Sequence, residues 1–184
     1  FHAVYWPAFL MAADLEPPKK IFAHGWWTNE SQKISKSLGN VISPYDIIKE
    51  YGLDQMRYFL FREVPFGNDG DFSKNAISTR LNADLSNNYG NLVQRILTFI
   101  VKNCHSKLKN SNNFNSNDIE LINNFKHKYK EYYNFMDNQQ IDKGIKSVIE
   151  LISLTNSYVD DQAPWSLKKT DIERMEVVLF IISN

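Results

Sequence analysis

Between residues 73 and about 108, apolar side chains recur at the spacing of a helix surface. Ile77, Leu81, Leu85, Leu92 and Ile96 recur at intervals of four, apart from a seven-residue step after Leu85, and Phe99 and Ile100 lie three and four residues beyond Ile96. Side chains so spaced share one stripe of a helix, and that stripe must be buried against something. Ser73 stands before the run as a cap. Further helices are expected at roughly 118–135, 141–158 and from 171 to the end, with the Asn-rich residues 110–117 as a loop. Helices joined by short loops bury their stripes by packing antiparallel, so this part of the chain predicts a bundle.

Upstream the pattern is different. Residues 1–15 are aromatic-rich and fit a helix started or interrupted by Pro7 and closed by Pro17 and Pro18. Residues 19–28 mix β-branched, aromatic and small side chains and read as a strand or hairpin. A short helix is expected over 44–51, opened by Pro44 and stopped by Gly52, then a second capped by Asp54 and running to about 63. The turn-rich residues 65–70 are the expected boundary, dividing the chain into 1–64 and 65–184.

Composition narrows the function. With 21 basic against 21 acidic residues the net charge is zero, so any nucleic-acid contact must be local. A 43% hydrophobic and 14% aromatic content supplies a core. Cys104 is the only cysteine, which excludes a disulfide framework and a cysteine-based zinc site in this stretch. No apolar run approaches the roughly 18 residues of a membrane span, and no secretory signal opens the chain. A reduced, cytoplasmic setting is the expectation. The chain begins without methionine and stops inside the apolar run 175–182, which reads as an internal piece of a longer protein.

Several constellations are candidates for chemistry. Residues 33–40, Lys-Ile-Ser-Lys-Ser-Leu-Gly-Asn, put Lys33 and Lys36 on a serine-rich loop suited to meeting a polyanion and moving with it; alone, such a pair is also an ordinary solvated loop. His2 and Trp6 lie one helical turn apart beside Phe1, as pocket lining or as plain aromatic packing. His24-Gly25 combines a hydrogen-bonding ring with a residue that lets a ligand approach the backbone, or is a structural strand end. Asn91 and Arg95 share a helix face and are both planar and multidentate, a pairing that suits base edges but is common on any surface. Trp165 follows Pro164 in an expected inter-helix turn, either as a core plug or as an exposed platform for a base.

Taken together these segments resemble a known family. Residues 33–60 resemble the KMSKS loop and following helices of class I aminoacyl-tRNA synthetases, with Ile34 in the methionine position. Residues 1–10 look like the amino-acid pocket of methionyl-tRNA synthetases, and the Asn91, Arg95 and Pro164-Trp165 matches fall in order on that family's anticodon-binding bundle. The resemblance spans essentially the whole chain. It implies a mostly α chain: the C-terminal remnant of a Rossmann-type α/β catalytic domain, followed by a helical anticodon-binding bundle. It implies methionine, ATP with Mg²⁺, and methionine tRNA as ligands, with no DNA and no membrane partner. Lys36, assisted by Lys33, would stabilise charge on the departing pyrophosphate; His24, Gly25, Lys33, Ser35 and Lys36 would contact ATP. Phe1, His2 and Trp6 would line the methionine pocket, where sulfur–aromatic contacts are favourable. Asn91, Arg95, Pro164 and Trp165 would read the CAU anticodon. The HIGH-type signature, the acidic partner of the methionine amino group and any zinc knuckle lie outside this sequence, so this stretch alone is not expected to be active. A sister synthetase would share the lysine region but not the pocket and anticodon residues together. A non-catalytic tRNA-binding descendant would not need both lysines.

Overall fold

The computed structural model describes residues 1–105, 107–110 and 112–183. Helix α1 (Tyr5–Ala12) carries Pro7 in its first turn, where a missing N–H costs no intrahelical bond, and it buries none of its residues against the rest of the chain. Strands β1 (Trp27–Asn29) and β2 (Gln32–Lys33) form an antiparallel hairpin, Thr28 opposite Lys33 and Asn29 opposite Gln32. Glu30 and Ser31 both take positive φ, 49° and 63°, the two-residue turn whose twist suits a hairpin. Strand β3 (Gly70–Asp71) joins β1 on its other side, parallel, with Trp27 opposite Gly70 and Thr28 opposite Asp71.

The strand expected over 19–28 is therefore shorter than its composition implied. The Gly70 N–H donates to the Trp26 carbonyl and the Phe72 N–H to that of Thr28, so partners reach only the end of the segment. The same pairing ties the residues just after 64 back to the first part of the chain.

Helices α2 (Pro44–Tyr51) and α3 (Leu53–Arg62) follow the lysine region, with the Ser43 hydroxyl accepting from the Asp46 N–H. Asp54 does not cap α3. The helix already begins at Leu53 and its N-cap position is Gly52, so Asp54 sits inside the first turn, where its charge still suits the helix dipole.

Ser73 caps α4 (Lys74–Arg80) as expected, its hydroxyl accepting from the Ala76 N–H at 3.1 Å. The long helix is not uniform, however. Residues Leu81–Gly90 wind as a π-helical segment before α-helix resumes in α5 (Asn91–Asn103), which ends earlier than expected. The wide turns coincide with the seven-residue step in the apolar stripe. They bring Asp84 inward, where the Tyr58 hydroxyl donates to it at 2.8 Å and Arg62 and Arg80 approach to 3.3 and 3.7 Å. His105, at φ 50°, turns the chain away from the helix path.

Helix α6 (Ser116–Asp137) opens with a reciprocal cap: the Asn115 side chain accepts from the Asp118 N–H, and the Asp118 carboxylate accepts from the Asn115 N–H. It runs beside α7 (Ile141–Gln162); two more helices, α8 (Pro164–Thr170) and α9 (Ile172–Ser183), complete the bundle. One core joins Leu92, Ile96 and Ile100 of α5 to Val159 of α7 and to Met175 and Leu179 of α9. A second joins Ile47, Phe59, Phe72, Ile77 and Leu81, with Trp27 packed against it, and so binds the hairpin and the linking helices to the start of the long helix. Among the described residues no helix is long and apolar enough to cross a membrane.

Candidate functional site

The lysine region is more ordered than a free loop. Lys33 ends β2 and Lys36 opens a 3₁₀ turn, Lys36–Leu38, that closes on Gly39 at φ 65°, a conformation that favours glycine. Ser35 caps the turn, accepting from the Ser37 N–H, and the two serine hydroxyls lie 2.7 Å apart. Asn40 staples both limbs: its Oδ1 accepts from the Ser35 N–H at 2.8 Å and its Nδ2 donates to the Lys33 carbonyl at 3.0 Å. The Asn29 side chain in turn donates to the Asn40 carbonyl at 2.9 Å. Both lysines remain exposed. The backbone is thus held while two ammonium groups project from it. Neither Asn29 nor Asn40 stands out in the sequence as a staple; the repeated amide chemistry around a tight turn is the available signal.

The His24 ring donates from Nδ1 to the Gly25 carbonyl at 2.8 Å, and the ring is exposed. Gly25 is needed for an intramolecular reason: a Cβ there would stand 2.1 Å from the Asn68 carbonyl oxygen. The same close approach lets the Asp69 carboxylate accept from the Trp26 N–H at 2.7 Å. At the start of α1, His2 from the preceding turn and Trp6 meet edge to face with ring centroids 6.3 Å apart, and Phe1 packs on Tyr5 at 5.6 Å. With Phe9 these rings line a groove of about 430 Å³ along one helix. All five rings are exposed, Phe1 by 94% and Trp6 by 47%.

Asn91, Arg95, Pro164 and Trp165 come together although more than 60 residues separate the two pairs. They line one groove of about 430 Å³ together with Gln94 and Phe99. Pro164 is buried at the first position of α8, and Ala163 before it, at φ 43°, makes the sharp exit from α7. Trp165 therefore stands in the first turn of a short helix rather than in the expected loop. Its indole is 43% exposed, so it does not fill the core. The Arg95 guanidinium lies 5.3 Å from the indole centroid and donates to Asp160 at 2.6 Å. One carboxylate thus fixes the cation over the ring. A second polar recess on the other side of Asn91 and Arg95 is lined by Asn88, Ser153 and Asn156. There the Asn156 Nδ2 donates to the Asn88 Oδ1 at 2.8 Å, while the Asn156 Oδ1 is buried with no hydrogen-bond partner among the described residues. Sequence reading did not single out Asn88, Asn156 or Asp160, since nothing local marks a side chain on α7 as facing a helix 60 residues upstream.

Behind this face Asp118 is fully buried. Arg174 donates to it twice, at 2.6 and 2.7 Å, and the Tyr158 hydroxyl donates at 2.6 Å. Burial pushes the Asp118 carboxyl up, but Arg174, Tyr158 and the Asn115 N–H outweigh it and hold it below the usual carboxylate range. Burial and the neighbouring carboxylate both push the Tyr158 hydroxyl well above its ordinary value. Among the described residues no three His, Cys, Asp or Glu side chains are placed to share a metal ion.

The exposed lysine turn and the helical bundle that carries the aromatic–arginine face both lie in segments that are matched among known proteins. Residues 1–97 match the family model described as tRNA synthetases class I (M), and residues 108–182 match the anticodon binding domain of methionyl tRNA ligase. The chain belongs to the methionine branch of the class I tRNA synthetases. It is 48% identical to the methionine–tRNA ligase of Rickettsia bellii over 99% of its length and 46% identical to that of Brucella suis over 100%. The fold matches Mycobacterium tuberculosis methionyl-tRNA synthetase in complex with methionyl-adenylate with a TM-score of 0.92 at 40% identity over 98% of the chain. The free state of that enzyme matches at 0.87. The chain spans 36% of the length of each of these relatives.

Proposed function

We propose that the protein containing this chain is a cytoplasmic methionine–tRNA ligase. It activates methionine with ATP to methionyl-adenylate, releasing pyrophosphate, and then esterifies the 3′ end of methionine tRNA. The observation that carries the reading is the Arg95–Trp165 stack with Asn91 one turn away, an exposed hydrogen-bonding and stacking face assembled from two distant segments. In this reading the indole takes the face of an anticodon base, Asn91 and Arg95 bond base edges, and Pro164 fixes the turn.

For the first step, the attacking methionine carboxylate displaces pyrophosphate from the α-phosphorus, and negative charge grows on the departing oxygens. Lys36, with Lys33 beside it, meets that charge, and a cation aimed at charge that develops only in the transition state lowers the barrier selectively. The Asn40 staple keeps the two lysines in register. Ser35, His24 and Gly25 border the nucleotide, and Phe1, His2 and Trp6 line the methionine side-chain pocket. Magnesium would reach such a site as an ion carried on the triphosphate, held there by phosphate oxygens and water. The division into a catalytic remnant over 1–64 and a helical anticodon part over 65–184 belongs to the same proposal.

The test uses the full-length protein with Trp165→Ala. Charging of methionine tRNA should fall about tenfold or more, while methionine-dependent pyrophosphate exchange stays at the parent rate. Equal loss in both assays would defeat the anticodon assignment.

A further inference from the structure

The outward edge of α6 has no role in the site described above. Phe125, Tyr129 and Tyr133 occur every fourth residue along it and are 50%, 54% and 49% exposed. Their rings form a continuous ladder. Phe125 stacks on Tyr129 at 6.4 Å with the planes 17° apart, Tyr129 meets Tyr133 at 4.8 Å, and the two hydroxyls are hydrogen-bonded at 3.3 Å. A monomer gains nothing by keeping such a row wet, and contiguous exposed aromatic surface marks a contact.

Charge says which kind. Lys126 and Lys130 stand one residue beyond Phe125 and Tyr129, so an ammonium row runs beside the rings. Both are exposed, and among the described residues neither lies within ion-pairing distance of a carboxylate. Lys128, on the inner side, is by contrast consumed by Glu131 at 3.0 Å and Glu150 at 2.7 Å. Successive i, i+4 rungs rise about 6 Å along a helix, close to the step between extended nucleotides. Rings for bases, flanked by free cations for the backbone, are the elements of a single-strand platform.

We propose that this edge of α6 is a second RNA contact, on which unpaired nucleotides stack against Phe125, Tyr129 and Tyr133 while Lys126 and Lys130 meet their phosphates. It rests on the reading of the bundle as an RNA-binding body but not on the Asn91–Arg95–Trp165 face. The ladder begins about 10 Å along α6 from Asp118, which is bonded to Tyr158 of α7.

The test compares Y129A/Y133A, K126E/K130E and W165A in the full-length protein. Two probes are titrated: methionine tRNA, and a labelled oligouridylate of ~12 nucleotides, within the span such platforms cover and lacking the anticodon sequence. The tyrosine pair variant should weaken oligouridylate binding about tenfold or more. The lysine pair variant should weaken it as well and flatten its salt dependence. Both should leave pyrophosphate exchange and the melting temperature at parent values, and W165A should leave oligouridylate binding intact. Parent-level oligouridylate affinity in both ladder variants would overturn the proposal. So would a lowered melting temperature or an altered sedimentation coefficient with RNA affinity unchanged, since the edge would then be covered by protein. If W165A alone spared tRNA binding, the anticodon assignment would fail and the α6 contact would stand.

Discussion

At the scale of single residues, the lysine turn separates chemistry from support. Lys36 projects from a held backbone, and Asn40 does the holding through two hydrogen bonds that a small apolar residue cannot replace. In the full-length protein Lys36→Ala should slow adenylate formation by roughly 10²–10³-fold, the usual loss when one donor to developing charge is removed. Methionine affinity should change little, and pre-steady-state adenylate formation at the parent rate would remove Lys36 from the mechanism. Asn40→Ala should cost less, about tenfold, because the cation survives but loses its position. It should also speed proteolysis within residues 33–40, a readout that Lys36→Ala should leave alone. Trp165 belongs to the same scale. Arg95 over an indole that is half in solvent contributes only about 0.5–1 kcal/mol, so Trp165→Ala should leave bundle stability nearly intact.

Among the elements, α6, α7 and α9 are locked by one buried ionic knot. Asp118 has its folded pKa held below the ordinary value, so its contribution to stability is present in full above the unfolded carboxylate pKa, about 3.9, and is lost as pH falls through the lower folded value. The thermal midpoint of the bundle should show no loss from this pair between neutrality and about pH 5, then fall in more acid solution. Asp118→Asn strands the Arg174 charge and should lower stability by about 3–5 kcal/mol near pH 7, with the gap to the parent closing as pH drops below the carboxylate range. Thermal unfolding against pH on the two proteins checks both the size and the sign. A gap that widened in acid would mean that the knot is not held by the ionised carboxylate.

Across the whole molecule the two halves are unequally supported. The bundle has its own core, whereas α1 buries nothing and leaves Phe1, Tyr5, Trp6 and Phe9 largely in solvent. Produced alone, this chain should exchange the amide hydrogens of residues 1–22 almost at once and retain protection in α5, α7 and α9. Equal protection in both parts, read by hydrogen exchange with mass spectrometry, would contradict this account.

The sequence by itself determined whatever depends on local spacing. The 3–4 apolar rhythm placed the long helices, Ser73 and Pro44 marked helix starts, and the quoted lysine, pocket and anticodon segments were distinctive enough to point to the family. Local spacing does not report which backbone lies across a gap. The π winding of Leu81–Gly90 was not legible because its turns carry Asp84 to partners that lie far off in the sequence, Tyr58 and Arg62 on α3. The strand over 19–28 came out short because its parallel partner, residues 70–71, reaches no further than Trp26 to Thr28. The reason for Gly25 lies in Asn68, and the partners of Arg95 lie on α7 and α8. Helices form from neighbours in the chain, but strand partners, buried charges and the face that Arg95 makes with Trp165 are set by long-range packing, and only the tertiary structure decided them.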